Sequence, residues 1–127
     1  MAHAIIEWSA NLEGALDLKG LMNLIADDMA NRSDGVFPIG GIRVRAYRAD
    51  DYVIADGTCA EDAFVNIDIK MGVGRSAEFR KAYFDALSAR ITDFLADLFE
   101  TRPFAFSLYV TEVDGWKKNS IHKRLKG

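Results

Sequence analysis

Four segments of the chain alternate between apolar and polar residues, and this two-residue period predicts four β-strands. The segments run from Ala2 to Ser9, from Ile42 to Tyr47, from Ala63 to Met71 and from Phe104 to Thr111. Because successive side chains of a strand point to opposite faces, each segment offers one apolar face for burial. We therefore expect a sheet with one buried face and a second face of mixed composition.

Two further segments carry apolar residues at intervals of three and four, which is the period of a helix. In the first, Asp17 is a good N-cap and Gly35 is a stop signal, which predicts a helix of about four turns. In the second, Ser76 is the N-cap candidate and the apolar stripe continues to Leu98. The second predicted helix is the longer of the two.

The predicted order of elements is strand, helix, strand, and then the same again. We interpret residues 1–127 as a single α/β (α+β) domain with two βαβ halves, about 1–57 and 58–115, and a C-terminal tail, 116–127. Crossovers between parallel strands are almost always right-handed, so two such units in one four-stranded mixed sheet place both helices on one face. The opposite face is then left without a covering layer.

This uncovered face is predicted to mix apolar, aromatic and charged side chains. Strands of βαβ units are usually covered on both faces, so we expect subunits to pack sheet against sheet. A single sheet exposed to water, with a few scattered apolar residues, is the alternative. The residues predicted on this face are Ile5, Glu7, Arg43, Arg45, Tyr47, Phe64, Asn66, Asp68, Ser107 and Tyr109.

Composition narrows the class of protein. The formal net charge of −3 argues against nucleic acid as the main partner, since phosphate binding usually needs a basic face. Only the basic tail, 116–127, favours nucleic acid, and no aromatic platform or second basic patch accompanies it. No apolar run reaches the roughly 20 residues of a membrane-spanning helix. We expect a soluble, cytoplasmic protein that binds neither nucleic acid nor membrane.

Cysteine and histidine, two common metal ligands, are rare in this chain. Cys59 is the only cysteine, which cannot form an internal disulfide. His3 and His122 are far apart in sequence and show no ligand spacing with a cluster of Cys or carboxylate residues. We therefore predict no metal site.

The connection between the third strand and the second helix, residues 72–76, is a candidate anion site. Its two glycines, the free amide groups of the helix start and the helix dipole favour a carboxylate or phosphate. Arg75 adds a guanidinium group that can bind such an anion through two hydrogen bonds. A Gly-x-Gly-Arg sequence is by itself a weak signal, because most such loops are only turns.

Arg43 and Arg45 are a second candidate, because residues two apart on a strand point to the same face. They could bind an acidic ligand on the uncovered face of the sheet. They could also form ion pairs with Glu7 or Asp68 on that face, and the residues alone slightly favour the ion pairs.

Several stretches of the chain resemble the 5-carboxymethyl-2-hydroxymuconate isomerase family, in the family's order and over nearly the whole length. The Phe-Pro-x-x-Gly-Ile-Arg element at 37–43 and the Gly-x-Gly-Arg-Ser element at 72–76 are fairly specific in combination. The similar stretches are residues 2–9, 35–45, 55–57, 63–65, 70–76 and 119–122.

This resemblance implies a tautomerase-like fold, a homotrimer and no cofactor. It also implies the isomerisation of a 2-hydroxymuconate-type unsaturated di- or tricarboxylate in aromatic acid catabolism, by enol-to-ketone or delta-isomerisation. In such enzymes an amino-terminal proline, exposed when the initiator Met is removed, moves a proton from the dienol to a distant carbon. Arginines that match Arg43 and Arg75 would hold carboxylates of this small acidic substrate.

The chain departs from the family at the proline position, which holds Ala2. If Met1 is removed, the primary amine of Ala2 replaces the proline nitrogen, and losing the ring should cost about 10- to 1000-fold in rate, or about 1.4 to 4 kcal/mol. If Met1 is retained, the alternative is a non-catalytic protein that binds small acids or serves as an assembly module. A primary amine also permits Schiff-base chemistry with a keto acid.

Overall fold

The computed structural model of the protein describes residues 1–126, and these form four strands and four helices. Gly127, the last residue of the predicted tail, lies outside the described residues. Short 3₁₀ turns lie at Ala10–Leu12 and Ile39–Gly41. The elements are β1 (Ala2–Ser9), α1 (Leu18–Asn31), β2 (Ile42–Ala49), β3 (Ala63–Gly72), α2 (Ala77–Phe94), α3 (Ala96–Thr101), β4 (Phe104–Val113) and α4 (Ile121–Lys126).

The strands form one mixed sheet in the order β2-β1-β3-β4. β1 is parallel to β2 and β3 is parallel to β4, whereas the central pair, β1 and β3, is antiparallel. Each parallel pair is connected through helix, so the predicted doubled βαβ fold is confirmed. Because β1 lies between two strands, the start of the chain is held from both sides.

The predicted helix starts are confirmed, and one predicted helix is divided. The side chains of Asp17 and Ser76 each accept a hydrogen bond of 3.0 Å from a backbone amide three residues later. α2 ends at Phe94, and Leu95 separates it from the short α3. Leu95 and Leu98 are both buried, so the predicted apolar stripe continues across the break. No helix within residues 1–126 is long and apolar enough to cross a membrane.

The core lies between the two long helices and the inner face of the sheet. The alternate residues of β1 and β3 that the sequence predicts for burial are almost all inaccessible to water, while their neighbours along each strand are half-buried or exposed. Burial of these side chains is the main stabilising contribution to the fold. Fully buried members are Ala4, Ile6, Val65, Ile67 and Ile69 from the sheet and Leu21, Ile25, Met29, Leu87 and Ile91 from the helices.

The outer face of the sheet, which turns away from α1 and α2, has the predicted mixed composition. Tyr47 and Tyr109 expose more than half of their surface on it, and Ile5 and Phe64 are half-buried. Aromatic residues at this exposure are typical of a surface that another protein chain covers. The packing of subunits on this face stays a prediction.

A buried polar cluster joins the two long helices. Asp28 of α1 is 2% exposed, and its carboxylate accepts hydrogen bonds of 2.8 Å from the Tyr83 hydroxyl and from Arg90 Nη1 of α2. Burial and the hydrogen bond to Asp28 raise the pKa of Tyr83 far above its ordinary value, so the hydroxyl remains a donor. The buried carboxylate therefore has both a charged and a neutral partner.

Candidate active site

The first residues of the chain lie at one end of the sheet, where β1 begins. Ala2 is fully buried and pairs with Ile42 of β2 on one side and Met71 of β3 on the other. Met1 passes close to the backbone of Gly41, where an added Cβ atom would lie 3.5 Å from Met1 Cα. The terminal amino group of Met1 is therefore only one residue away from Ala2, whose backbone the sheet holds on both sides.

The terminal amine is surrounded by positive charge. Burial lowers the pKa of the Met1 amino group below its ordinary value of 8.0, and the charges of Arg75 and Lys117 lower it further. Both effects disfavour the protonated form. A larger fraction of this amine is therefore neutral, and able to accept a proton, at any pH near neutrality.

Arg43 is held by a histidine on the neighbouring strand. His3 and Arg43 are register partners on β1 and β2, and Arg43 Nη1 lies 2.7 Å from His3 Nε2. Because a guanidinium group can only donate, the ring nitrogen accepts and the imidazole is neutral. Burial lowers the pKa of His3, and the charges of Arg43 and Arg45 lower it further, which favours this neutral form.

The ion pairs that the residues alone favoured for Arg43 and Arg45 are absent from residues 1–126, where neither arginine lies within 4.0 Å of a carboxylate oxygen. Asp68 instead accepts a hydrogen bond of 3.1 Å from Asn66, two residues before it on the same strand. Arg43 is bound by His3, an unpredicted partner. The expectation of ion pairs with Glu7 or Asp68 was wrong, because the alternation along a strand assigns a residue to a face but does not give the order of the strands across the sheet.

Arg75 is held by neutral groups only. Its Nη2 donates to the Val36 carbonyl at 3.1 Å, and its Nη1 donates to the Gly72 carbonyl at 3.3 Å. The guanidinium carbon lies 5.9 Å from the centre of the Phe37 ring, within the range of a cation–π contact. Carbonyl groups and an aromatic ring position the guanidinium group without neutralising it, so its charge acts on the terminal amine nearby.

A cleft of about 640 Å³ opens at this end of the sheet. Its walls come from the start of the chain, the turn before β2, the first residues of β2 and the segment before α4. Among the described residues no carboxylate side chain lines it, so its electrostatic potential suits an acidic ligand. Its ionisable lining includes Met1, His3, Arg43, Lys117 and His122.

The structure therefore brings together most of the predicted site residues. The chain start at Ala2, through the adjoining Met1, and Arg43 meet at the cleft, and Arg75 lies near the terminal amine. Arg45 is two residues further along β2 and does not line the cleft. It shares the outer face with Arg43, as predicted, but its register partner is Ile5, which is further along β1 from the terminal amine than His3 is.

Sequence reasoning missed the two histidines and the contribution of the tail. His3 and His122 are far apart in sequence, yet both line the cleft together with Lys117. The only signal in the sequence was the stretch 119–122, which resembles the isomerase family and runs into the short, unpredicted helix α4. Lys117 and Lys118, two of the basic residues of the tail that invited a nucleic-acid interpretation, line the cleft that holds the terminal amine.

A second cleft, of about 920 Å³, is formed by the connection between β2 and β3. Asp50, Asp51 and Asp62 line it, and no basic side chain of the residues that the structure describes does so, which disfavours acidic ligands. Within the described residues, no three His, Cys, Asp or Glu side chains are grouped so that they could hold a metal ion. The cationic cleft is therefore the better candidate site.

Two parallel βαβ units joined by an antiparallel central pair define a tautomerase-like fold, and the amino end of this chain lies in a cationic cleft. The family model of 5-carboxymethyl-2-hydroxymuconate isomerase matches residues 2–125. The chain belongs to the 5-carboxymethyl-2-hydroxymuconate isomerase family.

Individual relatives agree with this assignment. An Escherichia coli 5-carboxymethyl-2-hydroxymuconate Delta-isomerase is 34% identical over 129 aligned residues, covering 99% of this chain and 100% of that protein. A crystal structure of a 5-carboxymethyl-2-hydroxymuconate isomerase from Deinococcus radiodurans R1 is 36% identical, with a TM-score of 0.89, covering 98% of this chain and 93% of that one. A second crystal structure, of a 5-carboxymethyl-2-hydroxymuconate delta-isomerase, is 29% identical with a TM-score of 0.86 and the same coverage.

Proposed function

We propose that this chain isomerises a 2-hydroxymuconate-type unsaturated di- or tricarboxylate, such as 5-carboxymethyl-2-hydroxymuconate, in aromatic acid catabolism. The observation that carries this proposal is the amino end of the chain, which opens into a cleft whose cations have no carboxylate partner within residues 1–126. A dianionic or trianionic substrate supplies the missing negative charge. Family membership supports the same reaction class.

The proposed base is the terminal amine. In its neutral form it removes the proton of the dienol hydroxyl, becomes an ammonium group, and returns a proton to a distant carbon of the conjugated system. The reaction therefore consumes no cofactor and leaves the amine as it began. The lowered pKa of the amine supports this role, because a base works best when its pKa lies near the working pH.

The proposed carboxylate anchors are Arg43 and Arg75. Arg43 lies on the wall of the cleft beside His3, and Arg75 lies behind the terminal amine. Their charges also stabilise the negative charge that develops on the dienolate oxygen, and stabilisation of that charge raises the rate of the chemical step. Arg45 is kept as a weaker substrate-binding candidate, because a longer substrate would have to reach it along β2.

The exact residue that carries the amine depends on processing of the chain. Removal of Met1 would leave the primary amine of Ala2 at the end of β1, about 3.8 Å deeper along the backbone. Ala2 is fully buried between β2 and β3, so that amine would be more desolvated than the amine of Met1. We propose the Ala2 amine as the proton carrier.

Two further features belong to this proposal. The exposed tyrosines of the outer face support a homotrimer in which neighbouring subunits cover the sheets. A mass near 14.1 kDa, that of one chain, in solution at micromolar concentration would contradict this assembly. The cytoplasmic setting rests on the composition of the sequence.

The test compares the natural chain with Ala2→Pro in a ketonisation assay on 5-carboxymethyl-2-hydroxymuconate and on 2-hydroxymuconate. We expect measurable activity from the natural chain and a gain of about 10- to 1000-fold from proline, because the ring fixes the orientation of the nitrogen. Intact-mass measurement on both proteins identifies the terminal residue. The control is the natural chain with its terminal amine acetylated, which should lose activity because an amide nitrogen cannot accept the proton.

Absence of turnover in both proteins, with Met1 removed and the fold intact, would contradict the proposed reaction. If that inactive protein still bound a dicarboxylate, the result would favour the non-catalytic acid-binding alternative. The replacement of proline by Ala2 is the observation that keeps this alternative open.

A further inference from the structure

The segment that follows β4 contributes a wall to the candidate active site. After Val113 the chain runs without regular structure to α4, and we call residues 116–122, which include the first two residues of α4, the C-terminal segment. Trp116, Lys117 and Lys118 line the cleft from this side, and Asn119 and His122 do so as well. They face the start of β1 and β2, which form the opposite wall.

The C-terminal segment is attached to the rest of the molecule at one turn. Asn119 Nδ2 donates to the Gly40 carbonyl at 2.8 Å, and Asn119 Oδ1 accepts from the amide of Ile121 at 2.8 Å, where α4 begins. The His122 ring lies so close to Gly40 that an added Cβ atom there would be 2.4 Å from its Nδ1. Gly40 is therefore required for this close approach, and the attachment fixes the position of the residues before it.

The lysines just before this attachment carry positive charge that no side chain of residues 1–126 neutralises. Neither Lys117 nor Lys118 lies within 4.0 Å of a carboxylate oxygen there, and both are exposed to water. Lys117 lies close enough to the terminal amine to contribute to the lowering of its pKa. With Arg43 opposite, the cleft holds positive groups on both walls, and an anion between them would relieve their repulsion.

We propose that Lys117 is a specificity-determining residue that binds an additional carboxylate of the substrate, and that Asn119 is the residue that positions it. This inference rests on the proposed function. A muconate skeleton carries two carboxylates, for which Arg43 and Arg75 are the proposed anchors, and a carboxymethyl substituent adds a third. Lys117 supplies a third cation, on the wall formed by the C-terminal segment, where neither arginine lies.

The chemistry of lysine suits this task. An ammonium group on a flexible stem acts as a point charge and can follow a carboxylate on a rotatable arm, whereas a guanidinium group prefers one planar arrangement. The attachment at Gly40 limits how far the backbone of Lys117 can move from the cleft. The segment therefore selects for ligands with three carboxylates over ligands with two.

The test measures the binding of two unreactive acids that differ by one carboxylate, propane-1,2,3-tricarboxylate and glutarate, by isothermal titration calorimetry. We expect the natural chain to prefer the tricarboxylate. Lys117→Gln should weaken tricarboxylate binding roughly three- to fivefold, the upper part of the range of an exposed charge pair, and change glutarate binding less than about twofold. Lys123→Gln is the matched control, because it removes the same charge from α4 without altering the lining of the cleft.

The positioning role of Asn119 is tested in the same way. Asn119→Ala should reduce the preference for the tricarboxylate, whereas the midpoint of thermal unfolding stays within the range of the Lys123→Gln control. In the double variant with Lys117→Gln, the preference should fall no further than in Lys117→Gln alone, because residues that act through one contact are not additive. Additive losses would show that Asn119 does not act through Lys117.

The outcomes separate this inference from the proposed function. Equal weakening of both acids by Lys117→Gln, an equal effect of Lys123→Gln, or no preference in the natural chain would overturn the inference even if the chain isomerises its substrate. Selective loss of tricarboxylate binding in a chain that shows no turnover would support the inference and count against the proposed reaction.

Discussion

Two groups of cations in this chain have opposite surroundings. Between the long helices, Arg90 binds the buried carboxylate of Asp28, and a tyrosine completes its hydrogen bonding. At the end of the sheet, Arg43 and Arg75 bind only a neutral ring and backbone carbonyls. The arginines that pair with carboxylates are Arg32, Arg48, Arg80, Arg90 and Arg102.

The difference separates a structural use of charge from a binding use. A buried charge that is paired and hydrogen-bonded is consistent with a folded state that needs no ligand. Cations that lie near one another without an acidic partner repel, and folding alone gives no reason to group them. Their grouping around the terminal amine therefore supports the proposal that an acidic ligand binds there.

The largest effect is expected from breaking the structural group. Asp28→Ala removes the carboxylate and leaves Arg90 and the Tyr83 hydroxyl without their acceptor in a mostly buried place. Removing one partner of a buried pair typically costs about 3 to 5 kcal/mol, and we expect a loss of this size in the free energy of unfolding. Urea denaturation followed by circular dichroism measures it.

The control is Asp85→Ala, which breaks an exposed pair with Lys81 one turn apart on α2. Such pairs contribute about 0.3 to 0.5 kcal/mol, so the two variants should differ severalfold. Similar losses in both would show that the buried cluster is no more important to stability than a surface pair. Binding of acids in the cleft should be unchanged in folded Asp85→Ala.

The fold was predictable because its signals are local. The alternation of Ala2 to Ser9 identifies β1 to the residue, and the two N-caps, Asp17 and Ser76, depend on side chains three residues from their partners. Handedness of the crossover then determines the face on which the helices lie. The break at Leu95 was not predictable from periodicity, because the apolar stripe continues through it.

The site was only partly predictable because its contacts join distant residues. The pairing of His3 with Arg43 spans 40 positions, and the attachment of Asn119 to Gly40 spans 79. The first contact depends on which strands are neighbours in the sheet, and the second depends on where the C-terminal tail packs against the rest of the molecule. Arg43 could be proposed as a binding residue from the face of its strand, whereas its partner, His3, could be identified only from the register of β1 and β2.

A smaller effect is expected from weakening the binding group. Arg43→Ala should reduce the affinity for glutarate by about 1.5 to 3 kcal/mol, roughly 10- to 150-fold, since a charge-assisted hydrogen bond is lost. The free energy of unfolding should change little or rise, because Arg43 has no carboxylate partner within residues 1–126 and lies beside other cations. Calorimetric titration and denaturation on the same preparation measure both quantities.

Arg48→Ala is the matched control, because Arg48 lies on the same strand but pairs with Asp50 and Glu13. It should leave the affinity for glutarate unchanged. If Arg43→Ala destabilised the fold as strongly as Asp28→Ala, the distinction between the two groups would fail. If it left the affinity unchanged, Arg43 would no longer be a candidate anchor.

The smallest expected effect is the pH dependence of stability at the cleft. The pKa of His3 is lowered from its ordinary value of 6.5, so between the lowered value and 6.5 the unfolded chain binds more protons than the folded chain. The free energy of unfolding therefore rises with pH across that window, and the His3 contribution becomes constant above it. Below the window, a protonated His3 can no longer accept from Arg43 and adds another cation to the cleft.

The measurement compares the free energies of unfolding of the natural chain and His3→Gln as the pH is lowered from neutrality through this window. Glutamine keeps an acceptor for Arg43 but does not titrate, so the natural chain should lose stability relative to the variant only on the acidic side of 6.5. Parallel curves of the free energy of unfolding against pH would mean that the surrounding cations do not lower the pKa of His3. An added dicarboxylate should reduce this difference in the free energy of unfolding, because a bound anion favours the protonated ring. The anion offsets the repulsion among the cations of the cleft, a repulsion that the buried pair of Asp28 and Arg90 does not have.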